Sequence, residues 1–191
     1  MSKKQLKFLI ILNLVWSILG AIADYDWLSS IPLYLVPVTA ICSLYPPLLF
    51  IWHLLNSKSK KIPNWFTFWL IAGTASYGLM AQAYFPMLMS WKGINFHDVG
   101  SMFWVAVYGL QSILLFRHLK AVTWLDLIPG ATFLLIADYT HYVQKTFVDL
   151  TLPGYPDWLK YSSLALILVL QIGSITFIYF KKRPITEPAQ R

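Results

Sequence analysis

Charge and cysteine are the two things this sequence has least of. Only 12% of its 191 residues are charged, and the one cysteine, Cys42, falls inside an apolar run. A lone cysteine excludes both a disulfide framework and a cysteine-based metal knuckle, and it leaves the redox compartment unread. Also missing are a phosphate-binding glycine loop, a G-x-S-x-G elbow, an H-E-x-x-H pair and a C-x-x-C pair, so the common soluble-enzyme plans are excluded. No lysine sits in the middle of an apolar run, which argues against a retinal Schiff base. Neither the length nor any visible inverted repeat suits a secondary transporter, unless the chain oligomerises.

What is there is apolar. Hydrophobic residues make up 58% of the chain and aromatic residues 17%, with a mean hydropathy of +0.59, far from the usual soluble domain. The net charge of +7 comes from Lys and Arg in short clusters between apolar runs, not along one polar face. That pattern excludes nucleic acid as the partner and points to topology in a lipid bilayer. The expected fold is therefore all-α: a polytopic membrane helix bundle forming a single transmembrane domain.

Six apolar stretches are long enough to cross roughly 30 Å of hydrocarbon. They cover about residues 6–23, 31–55, 65–89, 99–116, 122–147 and 159–180, and a short tail follows at 181–191. Pro32, Pro37, Pro46 and Pro47 fall in the second stretch, which is expected to be kinked or divided. Lys3, Lys4, Lys7, Lys58, Lys60, Lys61, Arg117, Lys120, Lys181, Lys182, Arg183 and Arg191 flank one set of span ends, while the alternate loops hold only Lys92, Lys145 and Lys160. The positive-inside rule then places both termini in the cytoplasm of a multi-pass cell-membrane protein. A rival reading takes the first stretch and "AIAD" as a secretory signal cleaved after Ala23, although Asn13 and Trp16 interrupt that run.

Within the fifth stretch, "LLIADYTHYV" carries Asp138 and His141 at i and i+3, on one side of a helix. Counting from Val122 puts Asp138 roughly 24 Å along, in the outer third of the membrane. Asp24, Asp26, His97, Asp98, Asp149 and Asp157 belong to the same outer level, leaving Asp126 and Glu187 on the cytoplasmic side. His97, Asp138, His141 and Asp24 are accordingly the candidate metal ligands. Carboxylate and imidazole together suit a divalent metal such as zinc, and His97 is the only histidine on another outer helix end. Ser101, Trp104 and Tyr108 continue the His97 face.

Two further readings of the Asp138–His141 pair stay open: a structural polar cluster and a proton-handling pair. Elsewhere, Asn13, Gln82, Gln111 and Gln171 read as interhelical hydrogen-bond partners, and Gly73, Thr74, Ala75 and Ser76 as a packing patch. His53 and His118 read as solvated or lipid-facing groups at cytoplasmic span ends. Trp27, Trp65, Trp91, Trp124 and Trp158 lie near span ends, where their rings favour the interface.

The order "LNLVWSILGAIADYDW", "YGLMAQAYF", "FHDVGSMFW", "LIADYTHYV" and "LPGYPDWLKYSSLALILVL" resembles the YpjA-like family of uncharacterised prokaryotic integral membrane proteins, over about residues 8–180. The resemblance implies that His97 matches a family histidine opening the fourth span. It also implies that residues 136–142 correspond to a pattern like H-N-D-x-x-D-Y. Asp138 and Tyr142 keep that pattern, Ile136 and Ala137 replace its first two polar residues, and His141 stands where an Asp is expected. The family brings no activity with it. Two functions follow as expectations: an accessory or small-ligand- or ion-binding membrane protein, with a membrane-protein partner or a homo-oligomer, and alternatively a membrane-embedded metal-dependent hydrolase acting on lipid.

Overall fold

A computed structural model of the chain describes residues 2–36, 41–144 and 152–183. Pro37, Lys145, Phe147, Asp149, Glu187 and Arg191 lie outside those residues, as does the side chain of Cys42. Regular structure among the described residues is entirely helical, in seven elements: α1 (Lys3–Ala23), α2 (Tyr25–Ser30), α3 (Ile41–Ser57), α4 (Asn64–Lys92), α5 (Phe96–Phe116), α6 (Trp124–Tyr142) and α7 (Asp157–Lys182).

Local chemistry sets the helix ends. Ser2 and Gln5 form a reciprocal capping box, which starts α1 ahead of its apolar run. Asn95 caps α5 through the Asp98 amide, and Thr123 with Asp126 boxes the start of α6. The second apolar stretch opens on a turn at residues 32–35. Helix α2 ends at Ser30, the Leu35 N–H bonds back to the Pro32 carbonyl, and α3 keeps Pro46 and Pro47 inside it. Each proline removes an amide donor that an unbroken helix would use.

Three helices, α1, α5 and α7, are long and apolar enough to cross a membrane. The 29-residue α4 has the length but carries Thr67, Thr74, Ser76 and Gln82; at about 1.5 Å per residue it spans roughly 43 Å. It is the central helix, packed against α3, α5, α6 and α7, with its closest partnership to α5. Those two join through a short loop whose Gly93 takes a left-handed φ of 88°. Where they cross, a Cβ added to Gly78 would come within 2.6 Å of the Gly109 Cα. This close approach lies at Gly78, beyond the Gly73–Ser76 patch, whose Gly73 faces the Tyr45 side chain instead.

The interior holds polar groups beside its apolar core, and the outside is strongly apolar. Asn13, His53, Gln111, Asp138, His141 and Gln171 are buried, while Phe8, Ile18, Ile22, Leu110, Ile172 and Phe177 lie on the outside. Apolar rings and chains of that number on an outer face require lipid or another protein over them. The chain is therefore read as a membrane protein.

One end of the bundle is basic. Asn64 donates to the Ala121 carbonyl and accepts from the Lys120 N–H, and the Val122 N–H bonds to the Lys182 carbonyl. These bonds gather the start of α4, the α5–α6 loop and the end of α7, with their lysines, at one level. At the far end Lys92 pairs with Asp98 at 3.2 Å, and Trp91 meets Tyr155 edge-on.

Candidate functional site

Two buried polar clusters cross the interior. The first is built on Asp138 of α6. Its Oδ1 accepts from the Tyr77 hydroxyl of α4 at 3.0 Å and from the Gln171 amide of α7 at 3.3 Å. Its Oδ2 is buried and has no hydrogen-bond partner. Tyr142, one turn on, is buried as well. Sequence counting placed Asp138 in the outer third of the membrane. Its partners occupy the middles of α4 and α7, the two longest helices. Glycine makes room here, because a Cβ at Gly73 would run into the Tyr45 hydroxyl, whose ring stands 6.0 Å from that of Tyr77.

The second cluster joins α1, α3 and α5. Asn13 and Gln111 exchange amide bonds, Asn13 Nδ2 to Gln111 Oε1 at 2.9 Å and Gln111 Nε2 to Asn13 Oδ1 at 3.2 Å. Asn13 Nδ2 also donates to the Leu9 carbonyl at 2.8 Å, which fixes the orientation of both amides. Gln111 Oε1 is then an acceptor facing His53 Nε2 at 3.0 Å, so the ring carries its proton on Nε2. The opposite nitrogen, Nδ1, is buried without a partner. His53 is 0% exposed, which corrects the expectation of a solvated or lipid-facing group. The signal in the sequence was three polar residues in three apolar helices; nothing in their spacing showed that they meet.

The remaining predicted ligands are held elsewhere. His97 has its side chain 80% exposed at the start of α5, with Nδ1 3.6 Å from Asp98 Oδ1. Asp98 is itself occupied by Lys92 and Asn95. Asp24, at the end of α1, accepts from the Ser43 hydroxyl. His141 is buried on α6 beside Asp138 in sequence. Trp104, expected on the His97 face, stacks on Trp16 with centroids 3.8 Å apart, and Tyr108 is buried. Among the described residues no three His, Cys, Asp or Glu side chains gather into a group that could hold a metal ion. The metal reading of His97, Asp138, His141 and Asp24 therefore has no support, and the zinc expectation loses its ligand set.

Chemically the two clusters differ in what they lack. Ionised Asp138 has an oxygen with lone pairs unused; protonated on Oδ2, it has a donor with no acceptor. Either state leaves hydrogen-bonding capacity unmet in a buried site, which costs about 1–3 kcal/mol per group. A proton alone does not cure this, but a small bound cation with its own ligands does. No family model, curated protein or solved structure matches the chain.

Proposed function

We propose that the chain is a six-span integral protein of the cell membrane, both termini cytoplasmic, whose Asp138 takes up a small monovalent cation or hydronium within the bundle. The observation that carries the function is the buried, unpartnered Oδ2 of Asp138, beside an Oδ1 already fixed by two donors. Ionisable groups at membrane depth are costly and belong to pathways or binding sites by default. A carboxylate oxygen with the Tyr77 hydroxyl oxygen beside it suits hard cations in preference to zinc. The orientation rests on the lysines and arginines collected at one end of the bundle. The role is non-enzymatic, accessory or small-ligand-binding, and the apolar outer faces suit a membrane-protein partner or a second copy as well as lipid. Kinship with the YpjA-like family belongs to the same proposal, on the motifs around His97 and Asp138. Lipid hydrolysis by metal-bound water has no observation on its side, because its third ligand, His97, stands exposed beside Asp98.

The test is thermal unfolding of purified protein in one detergent, in lithium, sodium, potassium and choline chloride at equal ionic strength, over a pH series. Binding at Asp138 predicts a higher midpoint in at least one small cation, or at low pH, than in choline, and loss of that difference in Asp138→Asn. Identical cation and pH responses in parent and variant would refute the proposal. For topology, a reporter active only outside the cytoplasm, fused after Arg191, is expected to stay silent.

A further inference from the structure

A second site lies at the basic end, between the first turns of α1 and the last turn of α5. Gln5, Phe8, Leu9, Leu114, Arg117 and His118 line a cleft of about 230 Å³, room for roughly seven water volumes. Deeper in the bundle the same two helices are clamped by the Asn13–Gln111 amide pair and the Trp16–Trp104 stack. The cleft is where they diverge above that clamp.

Its lining is divided by chemistry. Phe8, Leu9 and Leu114 supply apolar walls, and Arg117, His118 and Gln5 supply donors at the rim. Arg117 is exposed and makes no ion pair with a described residue. The acid that could have answered it, Asp126, already accepts from Asn64 and from the Thr123 amide and hydroxyl. His118 is held in place by an edge contact with the buried Trp52, centroids 5.2 Å apart. Partial burial, with the nearby N-terminal charge, lowers its pKa from the usual histidine value, and Arg117 supplies the permanent charge.

We infer that this cleft binds the phosphate of an anionic phospholipid, with Arg117 on the phosphate and Phe8, Leu9 and Leu114 against the start of the acyl chains. A soluble anion has no use for three apolar walls, and a zwitterionic lipid carries an ammonium group into a rim that already holds the Arg117 guanidinium. Basic pockets between spanning helices on the cytoplasmic side suit anionic headgroups in this way. The site is independent of Asp138.

Native mass spectrometry of the full chain in detergent tests it, with added dioleoylphosphatidylglycerol, dioleoylphosphatidylcholine, or glycerol 1-phosphate as the headgroup alone. The expected result is one phosphatidylglycerol retained per chain, in clear excess over phosphatidylcholine, and no retention of glycerol 1-phosphate. Arg117→Gln is expected to weaken phosphatidylglycerol retention about fivefold, one basic residue's share at a charged lipid surface. Arg117→Lys should restore most of it, and Lys120→Gln, outside the cleft, should leave it unchanged. Phe8→Gln, at a position 64% exposed and thus harmless to the core, should weaken retention from the apolar side. Equal binding of the two lipids, parent-like retention by Arg117→Gln, or headgroup binding as strong as lipid binding would each overturn the inference.

Discussion

Around Gln111, amide answers amide and the only unanswered atom is a ring nitrogen; around Asp138, the unanswered atom belongs to an acid. Both clusters are buried, both link three helices, and both use one glutamine as the hub or a spoke. Yet the first is neutral in every bond it makes, and its amides are mutually oriented, so it reads as a fastener for α1, α3 and α5. The second commits one carboxylate oxygen to α4 and α7 and holds the other back. An unmet oxygen on a group that can carry a full charge costs more in a buried site than an unmet neutral ring nitrogen such as His53 Nδ1. The difference between the clusters is what separates scaffold from candidate site.

That contrast can be broken by substitution. Gln111→Leu should be the most damaging change, destabilising by about 2–4 kcal/mol, since it strands Asn13 and the His53 Nε2–H together in a buried site. Chemical or thermal unfolding in one detergent measures it. Adding Asn13→Leu to that variant should recover part of the loss, as removing both partners of a buried pair is milder than removing one; a double-mutant cycle reads the coupling. Tyr77→Phe should cost about 1 kcal/mol, in the range of interhelical bonds in membranes, and should leave any cation-dependent midpoint shift reduced but present. Gln171→Leu should be the mildest, about 0.6 kcal/mol, the average for such bonds, because its bond to Asp138 is the longer of the two. If Gln171→Leu proved as harmful as Gln111→Leu, the Asp138 cluster would be scaffold as well.

Much of this architecture was legible in the chain, for physical reasons that apply unevenly. Apolar length marks α1, α5 and α7 whatever surrounds them, and the caps Ser2, Asn95 and Thr123 explain where the helices start. Helix α4 was legible too, as the apolar stretch 65–89, but its central place in the bundle was not, because apolar length does not say how many neighbours a helix has. The prolines were visible in the second stretch, but not that Pro46 and Pro47 would sit inside one helix. Asp138 was recognisable because an acid in an apolar helix is expensive anywhere. Its partners were not, since Tyr77 and Gln171 are 61 and 33 residues away in sequence and depth counted along one helix says nothing of how its neighbours are staggered. The grouping of Asp138 with His97 failed for that reason. His53 was misread because a short count to a lysine cluster looks the same whether the ring faces lipid or α5.

The glycine crossing of α4 and α5 also limits how this molecule can move. With Gly78 against Gly109, neither helix can roll or slide past the other without backbone meeting backbone, so the hairpin behaves as one stiff beam with few degrees of freedom of its own. Each polar cluster has one foot on that beam, Tyr77 on one helix and Gln111 on the other. Rocking of α6 and α7 against it would open the Asp138 cluster and leave the Gln111 cluster shut, and rocking of α1 and α3 would do the reverse. The two clusters thus share one stiff support while tying different helices to it.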